Sequence, residues 1–376
     1  MEFRDLKTQY QTYQNEIDGA IQNVLKNADF IGGKEINVLE ERLAEYVGVK
    51  HCITCANGTE AMTLVLMAWD IKAGDAVFVP DFTFFSTGEV VALAGATPIF
   101  VDVDENTFNL DPQKLEIAIK AVLQKGELQP KAVIPVDLFG LPANYPEITG
   151  IARKYNLLIL EDSAQGFGGR INEQKAGSFG AAATTSFFPA KPLGCYGDGG
   201  AIFTDDDQWA AQLKSLKVHG KGRDKYDNVR IGLNSRLDTI QAAVLNVKLS
   251  FFIKAELDAV NYFYSLYNQK LNDIVKTPVI PNGYYSSFAQ YTIRLKDLSE
   301  REKLKTSLGK NQIPAMIYYA KPMHHQKAFG NQYFDESDYL VANRLCETVL
   351  SLPMHPYLKE REIEQICNFV LKTLEK

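Results

Sequence analysis

The stretch Ser186-Phe-Phe-Pro-Ala-Lys191-Pro-Leu-Gly-Cys-Tyr-Gly-Asp-Gly-Gly200 places a single lysine after an aromatic strand pattern and before a glycine-rich loop. No charged residue flanks Lys191 for several positions on either side. Apolar surroundings disfavour the ammonium form, so the pKa of such an amine falls and it can attack a carbonyl. Upstream, the apolar run Leu157-Leu-Ile-Leu160 ends in Glu161-Asp162-Ser-Ala-Gln165. This reads as a strand that delivers a carboxylate to its C-terminal end, the edge where open α/β sheets bind ligands. A carboxylate buried there requires a cation or hydrogen-bond donors. Taken singly, Asp162 also reads as the cap of a following helix.

Working outward, helical and strand patterns alternate along the chain. Helices are predicted over 11–27, 35–47, 60–70, 112–123, 146–155 and 206–217, with another ending at Ala94-Gly95. Strands are predicted over 51–56, 76–80, 98–103, 132–136, 157–161 and 183–188, and a further one enters the sheet along Gly197–Thr204. Such alternation predicts an α/β fold with a mostly parallel sheet. Residues 239–271 read as a long helical connection. Beyond it lie short strands (289–295, 313–317, 349–352) and helices (300–308, 336–347, 360–373), an α+β pattern. The expected division is a large α/β domain over 1–250 and a smaller α+β domain over 251–376.

The 376 residues are 46% hydrophobic and 23% charged, with a net charge of −6. That composition is ordinary for a globular protein and lacks the basic footprint of a nucleic-acid binder. The opening Met1-Glu-Phe-Arg-Asp-Leu-Lys7 is charged rather than apolar, and no window has the uninterrupted apolar length of a membrane span. The expectation is a cytoplasmic protein with no membrane association. Five cysteines form no disulfide framework. Cys52-Ile-Thr-Cys55 matches a C-x-x-C pattern, but it falls in a strand, where residues three apart face opposite sides.

Four features gain meaning in combination. Asn57-Gly58-Thr59 lies at a strand-to-helix turn, where unpaired N–H groups favour a phosphate, although alone it is also an ordinary turn and cap. Ser186 and Lys191 belong to the strand after Asp162 and its exit loop. Phe84 supplies an aromatic face after another strand, and singly it reads as core. One ligand asks for all of these together, a flat phosphorylated pyridine aldehyde. Lysine condenses with the aldehyde, aspartate keeps the ring nitrogen protonated, an aromatic ring stacks, and Gly, Thr and Ser hold the phosphate. The residues therefore point to pyridoxal 5'-phosphate.

The chain resembles the pyridoxal-phosphate-dependent nucleotide-sugar aminotransferases of the DegT/DnrJ/EryC1/StrS family, essentially end to end. The resemblance is carried by Phe3-Arg-Asp-Leu-Lys-Thr-Gln-Tyr10, Phe30-Ile-Gly-Gly33, Asn57-Gly-Thr-Glu-Ala61, Glu161-Asp-Ser-Ala-Gln165, the Lys191 segment, Gly232-Leu-Asn-Ser-Arg-Leu-Asp238 and Tyr319-Ala-Lys-Pro-Met-His324. It implies the aspartate-aminotransferase-like fold (PLP fold type I). It also implies roles: Lys191 as the cofactor-binding amine, Asp162 at the pyridine nitrogen, Gln165 at the ring hydroxyl and Phe84 stacked on the ring. Gly58, Thr59 and Ser186 match phosphate binders, and Asn234 matches a phosphate contact from the other subunit of a homodimer. Arg4, Arg236, Tyr318 and His324 fall where the family contacts the nucleotide sugar. Ala320 departs from the proline that many relatives carry.

The reaction so implied is a two-stage transamination. L-glutamate leaves as 2-oxoglutarate, the cofactor passes through pyridoxamine 5'-phosphate, and a keto sugar becomes an amino sugar. Lysine at 191 argues against the dehydratase branch, which has histidine there. The Lys191 segment looks most like relatives that aminate the C3 ketone of UDP-linked 2-acetamido sugars, with the 3-keto glucuronic acid form the nearest match. Arg236 or His324 could supply a cation to the uronate, although Arg236 fits an interface ion pair nearly as well; C4 amination stays open. A nicotinamide-dependent oxidoreductase would need G-x-G-x-x-G after the first strand, which is absent. A non-catalytic regulator would not need Lys191, Asp162 and Gln165 together.

Overall fold

Seven strands form the central sheet of the computed structural model, which describes residues 1–224, 226–330 and 334–374. They are β1 (His51–Cys55), β2 (Asp75–Pro80), β3 (Thr97–Val101), β4 (Gln129–Val133), β5 (Leu158–Asp162), β8 (Ala182–Ser186) and β9 (Gly200–Thr204), with the two-residue β6 (Arg170–Ile171) and β7 (Gln174–Lys175) in between but outside this sheet. The order is β1-β9-β8-β5-β4-β2-β3. The β3–β2, β2–β4, β4–β5 and β5–β8 pairs are parallel, and β9 runs antiparallel to both its neighbours. The mostly parallel sheet thus matches the sequence pattern, and β9 reverses because it returns directly from β8 without a crossover helix.

Among the described residues, ten α-helices accompany this sheet up to residue 271. They are α1 (Leu6–Thr12), α2 (Gln14–Asn27), α3 (Lys34–Val47), α4 (Gly58–Ala68), α5 (Ser86–Leu93), α6 (Pro112–Lys125), α7 (Tyr145–Tyr155), α8 (Asp207–Leu216), α9 (Thr239–Phe251) and α10 (Leu257–Leu271). Both faces of the sheet are covered, so its strands are apolar on both sides. Val77, Val79, Leu160 and Ile202 pack with Leu64 and Val65 of α4 on one face. Phe78 and Ile159 pack with Leu115 and Ile148, and Phe203 with Leu39 and Leu245, on the other. Cys52 and Cys55 fall into opposite clusters, both buried as free thiols, as their spacing on a strand requires.

The rest of the chain adds β10 (Tyr284–Tyr285), β11 (Tyr291–Arg294), α11 (Leu298–Lys310), α12 (Leu340–Thr348), β12 (Val349–Leu352) and α13 (Glu360–Leu374). The antiparallel β11–β12 pair shares an apolar cluster with α10, α11 and α13, built on Tyr267, Tyr291, Leu304 and Ile366. Among the described residues, no helix is long and apolar enough to cross a membrane.

Several expected elements differ. The strand expected at 313–317 is reduced to a single bridge, Met316 to Ser351; Pro314 has no N–H to give a ladder. The helix expected over 11–27 breaks at Tyr13, whose ring stacks on Phe251 at 3.8 Å. The 239–271 connection is interrupted by a π turn at Phe252–Glu256. The helix expected over 336–347 begins only at Leu340, after a short turn and a non-helical Tyr339.

Candidate active site

The parallel register of β5 and β8 sets Asp162 beside Thr184, so Asp162 and Ser186 leave the sheet at the same edge. Ser186 pairs with Gly200 across β8–β9, and Gly200 pairs with Cys55 across β1–β9. The loop 187–199 is therefore closed at its base, and Asn57 is drawn to that closure. Contact is too tight for a side chain: a Cβ on Gly200 would lie 2.5 Å from the Asn57 carbonyl carbon, and one on Gly58 2.8 Å from Ser186 Cβ.

Above this edge lies a cavity of about 650 Å³. Gly58, Thr59, Phe84, Asp162, Gln165, Ser186, Lys191 and Tyr318 all line it. The Asn57 side chain caps α4 by accepting from Glu60 N at 2.8 Å. The first N–H groups of the helix, at Gly58 and Thr59, have no acceptor within the helix, which makes this end an anion site beside the Ser186 hydroxyl. Phe84 is 53% exposed although apolar, because its ring forms part of the cavity wall, 6.4 Å from Tyr319.

Asp162 is buried and accepts from Ala164 N at 3.1 Å and Thr87 Oγ1 at 3.3 Å. Burial pushes its pKa up, with Ala164 N, the Lys191 charge and Thr87 opposing. Burial pushes Lys191 down; Asp162 opposes this and the Arg4 charge adds to it. Gln165 is held by two contacts: its Oε1 accepts from Phe139 N at 2.9 Å and its Nε2 donates to Tyr319 OH at 3.2 Å. Two buried oxygens on the cavity wall, Glu60 Oε2 and Gln290 Oε1, have no partner among the described residues. Polar atoms so placed call for a polar ligand.

Four predicted residues stand outside this cavity. Asn234 and Arg236 are exposed on the chain's surface. Arg4 instead donates from Nη2 to Lys191 O at 2.8 Å and Pro192 O at 3.3 Å. His324 has a fully buried side chain: its Nδ1 is 2.7 Å from Asp81 Oδ2, its Nε2 3.4 Å from Glu336 Oε2, and its ring stacks on Tyr339. Two carboxylates hold it inside, away from the cavity wall. Sequence reasoning missed Thr87, Tyr319, Gln290 and Glu60. Glu60 and Tyr319 sit inside quoted motifs, whereas Thr87 and Gln290 carry no local signal.

The donor set fits a phosphorylated pyridine aldehyde: an amine, a carboxylate, an aromatic face and a helix N-terminus around one cavity. Residues 11–371 match the DegT/DnrJ/EryC1/StrS aminotransferase family. The chain belongs to this family. It is 42% identical to the UDP-2-acetamido-2-deoxy-3-oxo-D-glucuronate aminotransferase of Pseudomonas aeruginosa, over 98% of both chains. It is 39% identical to the UDP-N-acetyl-3-dehydro-alpha-D-glucosamine 3-aminotransferase of Acidithiobacillus ferrooxidans, over 98% of this chain and 97% of that one. A DegT/DnrJ/EryC1/StrS aminotransferase from Brucella abortus superposes with a TM-score of 0.97 at 48% identity, covering 100% of both chains. The protein is accordingly a pyridoxal-phosphate-dependent aminotransferase with the aspartate-aminotransferase-like fold.

Proposed function

We propose that this aminotransferase moves the amino group of L-glutamate to the C3 ketone of a UDP-linked 2-acetamido-2-deoxy-3-keto sugar, in the glucuronic acid form. The observation that carries the chemistry is the meeting of Lys191 and Asp162 in one cavity beside Phe84 and the α4 N-terminus. The substrate assignment is supported by the likeness to the two 3-keto-sugar enzymes.

Pyridoxal phosphate, when bound, supplies an aldehyde that condenses with amines and a ring that takes up electrons. Gly58, Thr59 and Ser186 would hold its phosphate, Phe84 its ring face, Gln165 its hydroxyl and Asp162 its ring nitrogen. Lys191, its ammonium form disfavoured by burial, takes up and returns the proton moved during each half of the reaction. Asp162, kept hydrogen-bonded to Ala164 N and Thr87, presents a carboxylate to the ring nitrogen and holds the proton there.

We take the active enzyme as a homodimer in which Asn234 and Arg236 complete the partner's cavity. Both are exposed, on a segment with Ile231 87% and Val229 54% exposed, an apolar surface that a second copy would cover. Arg236 then becomes the cation for the uronate and Tyr318 a sugar contact. We place the two domains at 1–250 and 251–376, since the apolar cluster built on Tyr267 and Ile366 draws its buried members from beyond residue 251. The product fits a cytoplasmic step of bacterial surface polysaccharide synthesis, such as that of lipopolysaccharide O-antigen.

The test is to convert the enzyme to its pyridoxamine form and present UDP-linked 3-keto and 4-keto sugars, following return of the visible band. A response to the 3-keto uronate is expected. A response confined to 4-keto sugars would overturn the regiochemistry, and one confined to the non-uronate 3-keto sugar would overturn the uronate.

A further inference from the structure

The backbone of the Lys191 loop is gripped by two cations, the half-buried Arg4 and the buried Lys248. Arg4 donates to Lys191 O at 2.8 Å and to Pro192 O at 3.3 Å. Lys248, 2% exposed, donates to Gly194 O, and its amine lies 5.2 Å over the Tyr196 ring. The loop crosses the apolar face lined by Phe187, Leu193 and Leu249, where inward carbonyls have no water to satisfy them. Two cations in such a place require an anion. Glu256, 5% exposed at the end of the π turn, is the carboxylate whose charge acts on both. Its Oε1 accepts from Gln9 Nε2 at 3.3 Å and from Tyr357 OH. The residue before Arg4 reaches the cavity wall, with the Phe3 ring edge-on to Tyr318 at 6.1 Å.

We infer that Arg4 is a positioning residue that fixes the Lys191 loop through the lysine's own carbonyl, rather than a contact to the sugar nucleotide. This rests on the reading of Lys191 as the cofactor-binding amine. Holding the Lys191 carbonyl fixes the Cα from which the side chain reaches into the cavity, and displacements of that origin are costly in transamination geometry. The Arg4 charge also adds to the effect of burial in disfavouring the Lys191 ammonium form.

The two roles for Arg4 predict opposite results in the half-reaction with glutamate, where no sugar is present. Arg4→Ala and Arg4→Lys would be loaded with pyridoxal phosphate, and three quantities measured: the cofactor dissociation constant, the rate at which glutamate bleaches the visible band, and the KM for the UDP sugar. A positioning role predicts for Arg4→Ala about tenfold or greater slowing of the bleaching and weaker cofactor binding, with partial recovery in Arg4→Lys. It also predicts faster proteolysis of the 187–199 loop in the cofactor-free variant. An unchanged glutamate half-reaction with a raised sugar KM would overturn it and restore the substrate role. Should Arg4→Ala fail to fold, Arg4→Gln provides the second test: its shorter amide cannot span both carbonyls and must slow the same half-reaction, and normal bleaching there overturns the inference. A wild-type protein that takes up no pyridoxal phosphate would instead defeat the reading of Lys191.

Discussion

Thr87 donates its hydroxyl to Asp162 across 3.3 Å, linking the first turn of α5 to the C-terminal end of β5. It is one of two hydrogen bonds that favour the ionised carboxylate against burial. Thr87→Val preserves shape and removes the donor, so the Asp162 pKa should rise further. The expected loss is about 1 kcal/mol, or several-fold in the rate of the glutamate half-reaction, with little change in sugar KM. Single-turnover kinetics in Thr87→Val showing the wild-type rate would argue against this support.

Among the described residues, Lys191 supplies the cavity's one side-chain amine, which Lys191→Ala removes. The variant should lose the visible band of the wild-type protein and about 10³-fold or more of its turnover. A Lys191→Ala protein that retains both would require another amine.

Gly58→Ala tests how closely the α4 N-terminus is seated. The new methyl would stand 2.8 Å from Ser186 Cβ and 3.3 Å from Ser186 Cα, so the phosphate-facing turn and the end of β8 must separate. Overpacking of this kind costs about 1–3 kcal/mol. Much of it should appear as weaker cofactor binding, read by titrating the cofactor-free enzyme with pyridoxal phosphate. Unaltered affinity would show that the turn does not carry the phosphate.

Glu161, next to Asp162, turns to the opposite face of the sheet. It accepts from Gly177 N at 2.5 Å and Phe179 N at 2.8 Å, and burial raises its pKa to about 7. Asp137, fully buried, accepts from Ala143 N at 3.0 Å and Tyr145 OH at 2.8 Å. Burial, then the Glu161 charge, push its pKa well up, which favours the protonated form of Asp137. Asp137→Asn, which replaces that O–H with an N–H, should cost under about 1 kcal/mol of stability. Glu161→Gln, which faces an amide N–H with another donor, should cost about 1–3 kcal/mol. Chemical denaturation of the two variants compares them directly, and the reverse ranking would refute the protonation assignment.

His355 is buried beside Tyr357, and burial, followed by the Arg4 charge, pushes its pKa down to about 4. An unfolded histidine titrates near about 6.5. Below that pH the unfolded chain binds a proton that the native state refuses. The contribution is therefore complete above about pH 6.5 and lost as pH falls toward about 4, to a limit of about 3 kcal/mol. His355→Leu should flatten that part of the stability profile relative to wild type. Parallel profiles in urea denaturation would show that another group is responsible.

Much of the fold was legible because hydrophobic period and chain order decide it. The runs 76–80 and 157–161 read as buried strands, and their alternation with amphipathic helices admits a mostly parallel sheet. The errors fell where a local signal competes with packing. Tyr13 breaks a well-patterned helix to stack on Phe251, and a π turn at 252–256 interrupts the long connection. The same division runs through the site. Lys191, Asp162, Ser186 and Gly58 lie at the ends of strands or the starts of helices, positions that chain order alone brings to one edge. Arg4 and His324 belong to segments whose side-chain direction no local pattern specifies.

The sequence by itself determined the chemistry: an amine without charged neighbours, a carboxylate at a strand end and a glycine turn, each ordinary alone, together ask for one ligand. Tertiary structure decided which polar groups face the cavity. A buried side chain turns toward whatever satisfies its charge, and those partners lie far away in sequence. His324 is held by Asp81 and Arg4 by the carbonyls of Lys191 and Pro192.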